Sequence, residues 1–175
     1  MSRLRSALIV EVPEASEAVD AWREQTCYAK PSSGVPAHVT ILFPFVPAAE
    51  IGDSLIRDLH ALFGRQEPFR FELRESRRFP EVLYLAPEPP EPFAALTQAV
   101  VSAHTDYPPY EGAFTTVVPH LTVAEGEPHV LDKAEADVRS SLPIVGEARE
   151  VILLEELEPD SALWRPRARL PLGAA

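Results

Sequence analysis

A single cysteine, Cys27, stands among the 175 residues. No intrachain disulfide can form, Cys27 reads as a packing residue, and a reducing, cytoplasmic setting is expected. No apolar run nears the ~20 residues of a membrane span. The opening Met1-Ser2-Arg3-Leu4-Arg5 leads into too short an apolar stretch for a signal peptide, so no membrane role is expected. Positive charge is scarce: 16 Lys and Arg stand against 27 Asp and Glu, a formal net charge of −11. That balance speaks against an extended nucleic-acid-binding surface, which needs a basic face, and leaves room for a small phosphate ester in a locally positive cleft. Lysine is nearly missing, 2 against 14 arginines, which reads as a compositional bias and not as a function. No P-loop or catalytic-lysine signature occurs. His60, His104 and His129 fall on or beside predicted helices, without metal-ligand spacing to another His, Cys or carboxylate. No metal and no cofactor is therefore expected.

Hydrophobic content of 46% and charged content of 25% are ordinary for a globular protein. The length suits one domain over 1–175, with an ordered core of about 4–172. Alternation and helical spacing predict strands at 4–12, 38–46, 69–73, 82–86, 119–124, 147–156 and 163–170. Helices are predicted at 14–26, 48–63, 91–104 and 130–142, with 75–81 as a hairpin link and 106–118 as the longest irregular stretch. The order β-α-β-α-β-β-α-β-α-β-β predicts an α+β fold with antiparallel sheets and helices on one side.

Two stretches stand out. Pro36-Ala37-His38-Val39-Thr40-Ile41 and Val118-Pro119-His120-Leu121-Thr122-Val123 share one pattern: proline, then His, apolar, Thr, apolar, with the second His 82 residues after the first. Val, Ile and Thr favour a strand, and a proline suits its first residues. Side chains alternate along a strand, so His38 and Thr40 share one face, as do His120 and Thr122, with Cα atoms roughly 6.5–7 Å apart. Val39, Ile41, Leu121 and Val123 point the other way, into a core. Two such strands meeting across a cleft would offer two imidazoles and two hydroxyls to one small substrate. That set suits chemistry at phosphorus. One imidazole takes a proton from the attacking oxygen, the other gives one to the leaving oxygen, and the hydroxyls donate to non-bridging oxygens.

The paired motifs resemble the 2H phosphoesterase superfamily, which includes the 2′-5′ RNA ligase-like proteins and cyclic nucleotide phosphodiesterases. The resemblance implies a bilobal arrangement: two antiparallel sheets with flanking helices, facing each other across a central cleft and related by a pseudo-two-fold. It implies hydrolysis of a 2′,3′-cyclic phosphate or a 2′-linked phosphodiester, with His38 and His120 catalytic in an unassigned order and Thr40 and Thr122 on the phosphate. Some ligase-like members carry an Arg soon after the second motif. Here the run is Ala124-Glu125-Gly126, so that phosphate clamp has no counterpart. The alternatives are ligation of RNA ends, a silent nucleotide- or phosphate-binding module of the same fold, and a two-histidine metal hydrolase.

Other residues are candidates for lining the cleft. Tyr107, Tyr110 and Phe114, in the loop before the second motif, could stack on a base or simply pack that loop. Arg77 could pair with phosphate, with Phe79 beside it, or the two could belong to a solvated turn. Phe45 could line the cleft, although a core place suits it better. Arg165, Arg167 and Arg169 read as a solvated strand face guarding an edge. The expected partner is a small nucleotide or RNA-end phosphate ester, bound by a monomer.

Overall fold

The apolar alternation along the chain resolves into two four-stranded antiparallel sheets and four α-helices among the described residues, 3–113 and 116–174 of a computed structural model. The strands are β1 (Ser6–Glu11), β2 (His38–Leu42), β3 (Phe69–Phe79), β4 (Val82–Glu88), β5 (Leu121–Glu125), β6 (Ile144–Ala148), β7 (Glu150–Glu156) and β8 (Trp164–Pro171). The helices are α1 (Ser16–Thr26), α2 (Asp53–Gly64), α3 (Glu91–Ala103) and α4 (Pro128–Arg139).

The sheets run β2-β1-β7-β8 and β5-β4-β3-β6. Each carries one motif strand at an edge, and the ladder beside it slips at matching places, between Leu8 and Ile9 in one sheet and Leu83 and Tyr84 in the other. This is the pseudo-two-fold. Each half also reaches across to the other half's motif strand. Thr26, at the end of α1, accepts from the Glu125 amide of β5 at 3.1 Å. Thr97 of α3 donates to the Ile41 carbonyl of β2 at 2.8 Å. The two motif edges come within 8 Å, Cα to Cα.

Alternation decides what is buried. Leu8 and Val10 of β1 point into one cluster shared with Val39 and Ile41 of β2, Leu83 and Leu85 of β4, Leu121 and Val123 of β5, and the helices' apolar faces. Ala7 and Ile9 point to the other face, with Ile152, Leu154 and Trp164, under a cover that includes Val35. Burying a side chain of this size contributes roughly 1.5–3 kcal/mol, so the shared cluster is what fastens one sheet to the other.

The structure corrects the sequence reading at three places. Residues 75–79 are strand and not a link: β3 runs to Phe79, and the hairpin closes at Pro80–Glu81, with Glu81 in the left-handed region at φ 61°. The run Glu75–Arg78 hides this strand because its charges face outward in ion pairs, Arg77 with Glu75 and Arg78 with Asp132 and Glu135. A strand before 147 was missed. β6 pairs with β3 and ends at Ala148, while β7 begins at Glu150 in the other sheet. Pro143 and Gly146 mask it; the Phe71 ring lies where a Gly146 side chain would project. The second motif strand begins at Leu121, so His120 stands just ahead of it.

The basic row on β8 is neutralised across the sheet. Arg165 and Arg169 pair with Glu155 and Glu150 at 2.7 and 2.6 Å, and Arg167 approaches Glu155 at 3.7 Å. No helix among the described residues is long and apolar enough to cross a membrane.

Candidate active site

Proline brings the chain to each histidine by the same local device. Nδ1 of His38 lies 2.7 Å from the Pro36 carbonyl, and Nδ1 of His120 lies 2.7 Å from the Val118 carbonyl. A carbonyl only accepts, so each Nδ1 carries the proton and donates it. That fixes the tautomer and leaves Nε2 of each ring without a protein partner among the described residues, free to take or give a proton.

Both rings are half-buried, and removal from water favours the neutral form. His38 is lowered to about 4, first by burial, then by the charges of Arg23 and His120, against the raising effect of its Pro36 bond. His120 is lowered too, by burial, against the raising effect of its Val118 bond. The charge of His120 is the last of the influences on His38 and acts in the same direction as its burial.

Each ring opens on its own cavity. One of about 210 Å³ holds His38 and Thr40 together with Arg5, Tyr28, Phe43 and Trp164. Its Arg5 guanidinium lies 5.6 Å from the Phe43 ring centroid and 5.8 Å from that of Trp164. Arg5 also grips Glu156 through Nε at 3.1 Å and Nη2 at 2.7 Å. That pairing raises Arg5 and holds the Glu156 carboxyl below its usual range. The other cavity, about 460 Å³, holds His120 with Phe79, Val82, Tyr110, Thr116 and Val118. His120 stands edge-on to Phe79 and Tyr84, with centroids at 5.1 and 5.6 Å, and those two rings stack at 4.3 Å. Thr122 is the cross-strand partner of Tyr84, which places it on the same face as His120.

The candidates from sequence therefore divide. His38 and Thr40 line one cavity, His120, Phe79 and Tyr110 line the other, and Thr122 lies opposite Tyr84, whose ring meets His120. Arg77 is held in its pair with Glu75 and lines a separate depression beside Val118 and Pro119. Phe45 is a core residue, 3% exposed, packed edge-on against His104 and Tyr107. Phe114 lies outside the described residues. Arg5, Tyr28, Phe43, Trp164 and Tyr84 were missed. Phe43 could have been found, because it closes the first motif strand; the others arrive from distant parts of the chain and left no local signal. Among the described residues, no group of three or more His, Cys, Asp or Glu is placed to hold a metal ion.

A family model described as the 2′-5′ RNA ligase superfamily matches residues 11–160. No curated protein matches the sequence. Solved structures match along nearly the whole chain. TT0787 of Thermus thermophilus is 23% identical, with a TM-score of 0.62, covering 97% of this chain and 98% of its own. Escherichia coli LigT complexed with NADP+ is 20% identical, with a TM-score of 0.59, covering 98% and 99%. The same protein complexed with 3′-AMP is 19% identical, with a TM-score of 0.58 over the same shares. At these identities the likeness establishes the fold.

Proposed function

The chain belongs to the 2′-5′ RNA ligase superfamily, and on that premise we propose that it is a metal-independent phosphoesterase that hydrolyses a 2′,3′-cyclic phosphate or a 2′-linked phosphodiester. The observation that carries this reading is the matched pair of imidazoles, each with Nδ1 tied to a carbonyl two residues upstream and Nε2 unengaged. One Nε2 accepts the proton of an attacking water as the new P–O bond forms. The other, protonated, gives its proton to the ribose oxygen as the old P–O bond breaks. Thr40 and Thr122 donate to the non-bridging oxygens and hold the phosphate between the rings. The apolar and aromatic cavities beside the rings suit a nucleoside, and the LigT structures carrying NADP+ and 3′-AMP support a small nucleotide as the ligand class.

The experiment is a turnover screen of 2′,3′-cyclic nucleotides and 2′-5′-linked dinucleotides, with products identified by which bond is broken and with a chelator present in one arm. His38→Ala and His120→Ala should each lower kcat by ~10²–10⁴-fold while leaving Tm nearly unchanged. Near-full turnover in either variant overturns the acid–base pairing, and loss of activity with the chelator overturns metal independence.

A further inference from the structure

The two motifs match in their histidines, threonines and hydrogen bonds, yet one side holds a buried cation that the other lacks among the described residues. Arg23 of α1 is 2% exposed, and it is the largest of the fully buried side chains. A guanidinium taken from water costs several kcal/mol unless its donors are met. Here Nη2 donates to the Ala29 carbonyl at 3.0 Å and the Val35 carbonyl at 2.9 Å, while Nη1 approaches Asp20 at 3.3 Å. The carbonyls are neutral, and the Asp20 carboxylate is 35% exposed. The positive charge is therefore satisfied by hydrogen bonds but only partly neutralised.

The place where Arg23 grips is informative. Val35 is joined directly to Pro36, whose carbonyl receives the His38 Nδ1–H. A continuous line thus runs from α1 through Arg23 and one peptide unit to the first imidazole. The segment around it is fixed as well. Ser33 donates to the Lys30 carbonyl at 2.7 Å, and Gly34 lies against the Trp164 carbonyl. At the second motif the Val118 carbonyl takes the same part for His120, whose ring rests beside the uncharged rings of Phe79 and Tyr84.

We propose that Arg23 is the positioning residue that makes the two motifs unequal: by holding the backbone that orients His38, and by placing a fixed positive charge behind it, it sets His38 as the proton acceptor of the pair and leaves His120 as the donor. This rests on the phosphoesterase reading above and completes it, because the matched motifs alone do not say which ring is which. The groups that face His38 are Arg23 from α1, Glu11 opposite it on β1, Arg5 and Tyr28 across the shared cavity, and His120 from the other lobe. Arg23 and His120 both disfavour a proton on His38, with burial acting in the same direction. At His120 the ring neighbours among the described residues are the uncharged Phe79 and Tyr84. On this proposal a single proton shared by the pair resides on His120.

The test reads each imidazole directly by NMR titration of histidine-labelled protein, in the wild type, Arg23→Met, Arg23→Lys and Asp20→Asn, and needs no substrate. In the wild type His38 should titrate below His120. In Arg23→Met His38 should move up by about one pH unit, with His120 shifted less. Arg23→Lys restores the charge without the two-carbonyl grip, so His38 should return part of the way. Asp20→Asn, at a part-exposed site, should push His38 further down, and it keeps the test open if Arg23→Met does not fold. The acid limb of kcat/KM, on whichever phosphodiester the turnover screen identifies, should follow His38 upward in Arg23→Met. The proposal is overturned if His120 titrates below His38 in the wild type, or if His38 is unmoved in every variant. Shifts as expected in a protein that turns over no phosphodiester would instead overturn the phosphoesterase reading.

Discussion

The Nδ1–H of His38 and that of His120 each reach a carbonyl two residues upstream, so each imidazole is oriented by the segment leading into its motif strand and needs no carboxylate partner. The threonines two residues on are neighbours by strand geometry alone. Thr40→Ala and Thr122→Ala should each cost about 10- to 100-fold in kcat/KM, the worth of a hydrogen bond to a charged group, and less than loss of either histidine. Steady-state kinetics on the same substrate checks the order. The protonation states also bear on stability. His38 is held to about 4 in the folded chain against 6.5 in the unfolded one. Between those values the unfolded chain binds the extra proton, so stability falls as pH drops from 6.5 towards 4. His120 acts in the same direction. His38→Gln should flatten that part of the profile, as urea midpoints across pH 4–7 would reveal; an unchanged slope would show that His38 titrates normally. These residues were legible in the sequence because His-x-Thr is a local pattern. Arg5, Trp164 and Tyr84 were not, because they join the site from the first strand's approach, β8 and the centre of the second sheet.

Each motif strand is held by the other half of the protein, through Thr26 to β5 and Thr97 to β2. The placement of the motif strands is therefore a property of paired elements and not of either lobe alone. The segment leading into β2 meets β8 at one close point. A side chain on Gly34 would begin 2.1 Å from the Trp164 carbonyl oxygen, and Gly34 has φ 87°. Gly34→Ala should thus cost about 2–3 kcal/mol, roughly 4–12 °C in Tm for a chain of this size. It should also move Trp164 and the His38 cavity it lines, which calorimetry and tryptophan fluorescence would register together. An unaltered Tm would mean that the approach is looser than described. Most helices and the long apolar strands could be read from periodicity. β6 and the second half of β3 could not: one is short and interrupted, and the other carries charged side chains paired with neighbours, so neither shows the apolar alternation that marks a half-buried strand.

One apolar cluster draws on both sheets and all four helices, so the lobes should not melt apart. A single cooperative transition is expected, with near- and far-ultraviolet circular dichroism coinciding; two separated transitions would show independent lobes. The charge of the whole chain was plain from composition, at −11. Its distribution was not: the arginines of β8, β3 and the first strand's approach mostly face carboxylates across strands or from α4, which leaves no basic stripe on β8 for a long polynucleotide.

By itself the sequence determined the order of the regular elements other than β6, the buried face of those with clear apolar periodicity and the four motif residues, because all of these depend on spacings of two to four residues along the chain. Tertiary structure alone decided that the two motif strands come within 8 Å of each other, that aromatic residues from distant strands wall the histidines' cavities, and that Arg23 holds the backbone behind His38. Those relations depend on which strands become neighbours and in what register, and register is settled by packing two sheets on a common core.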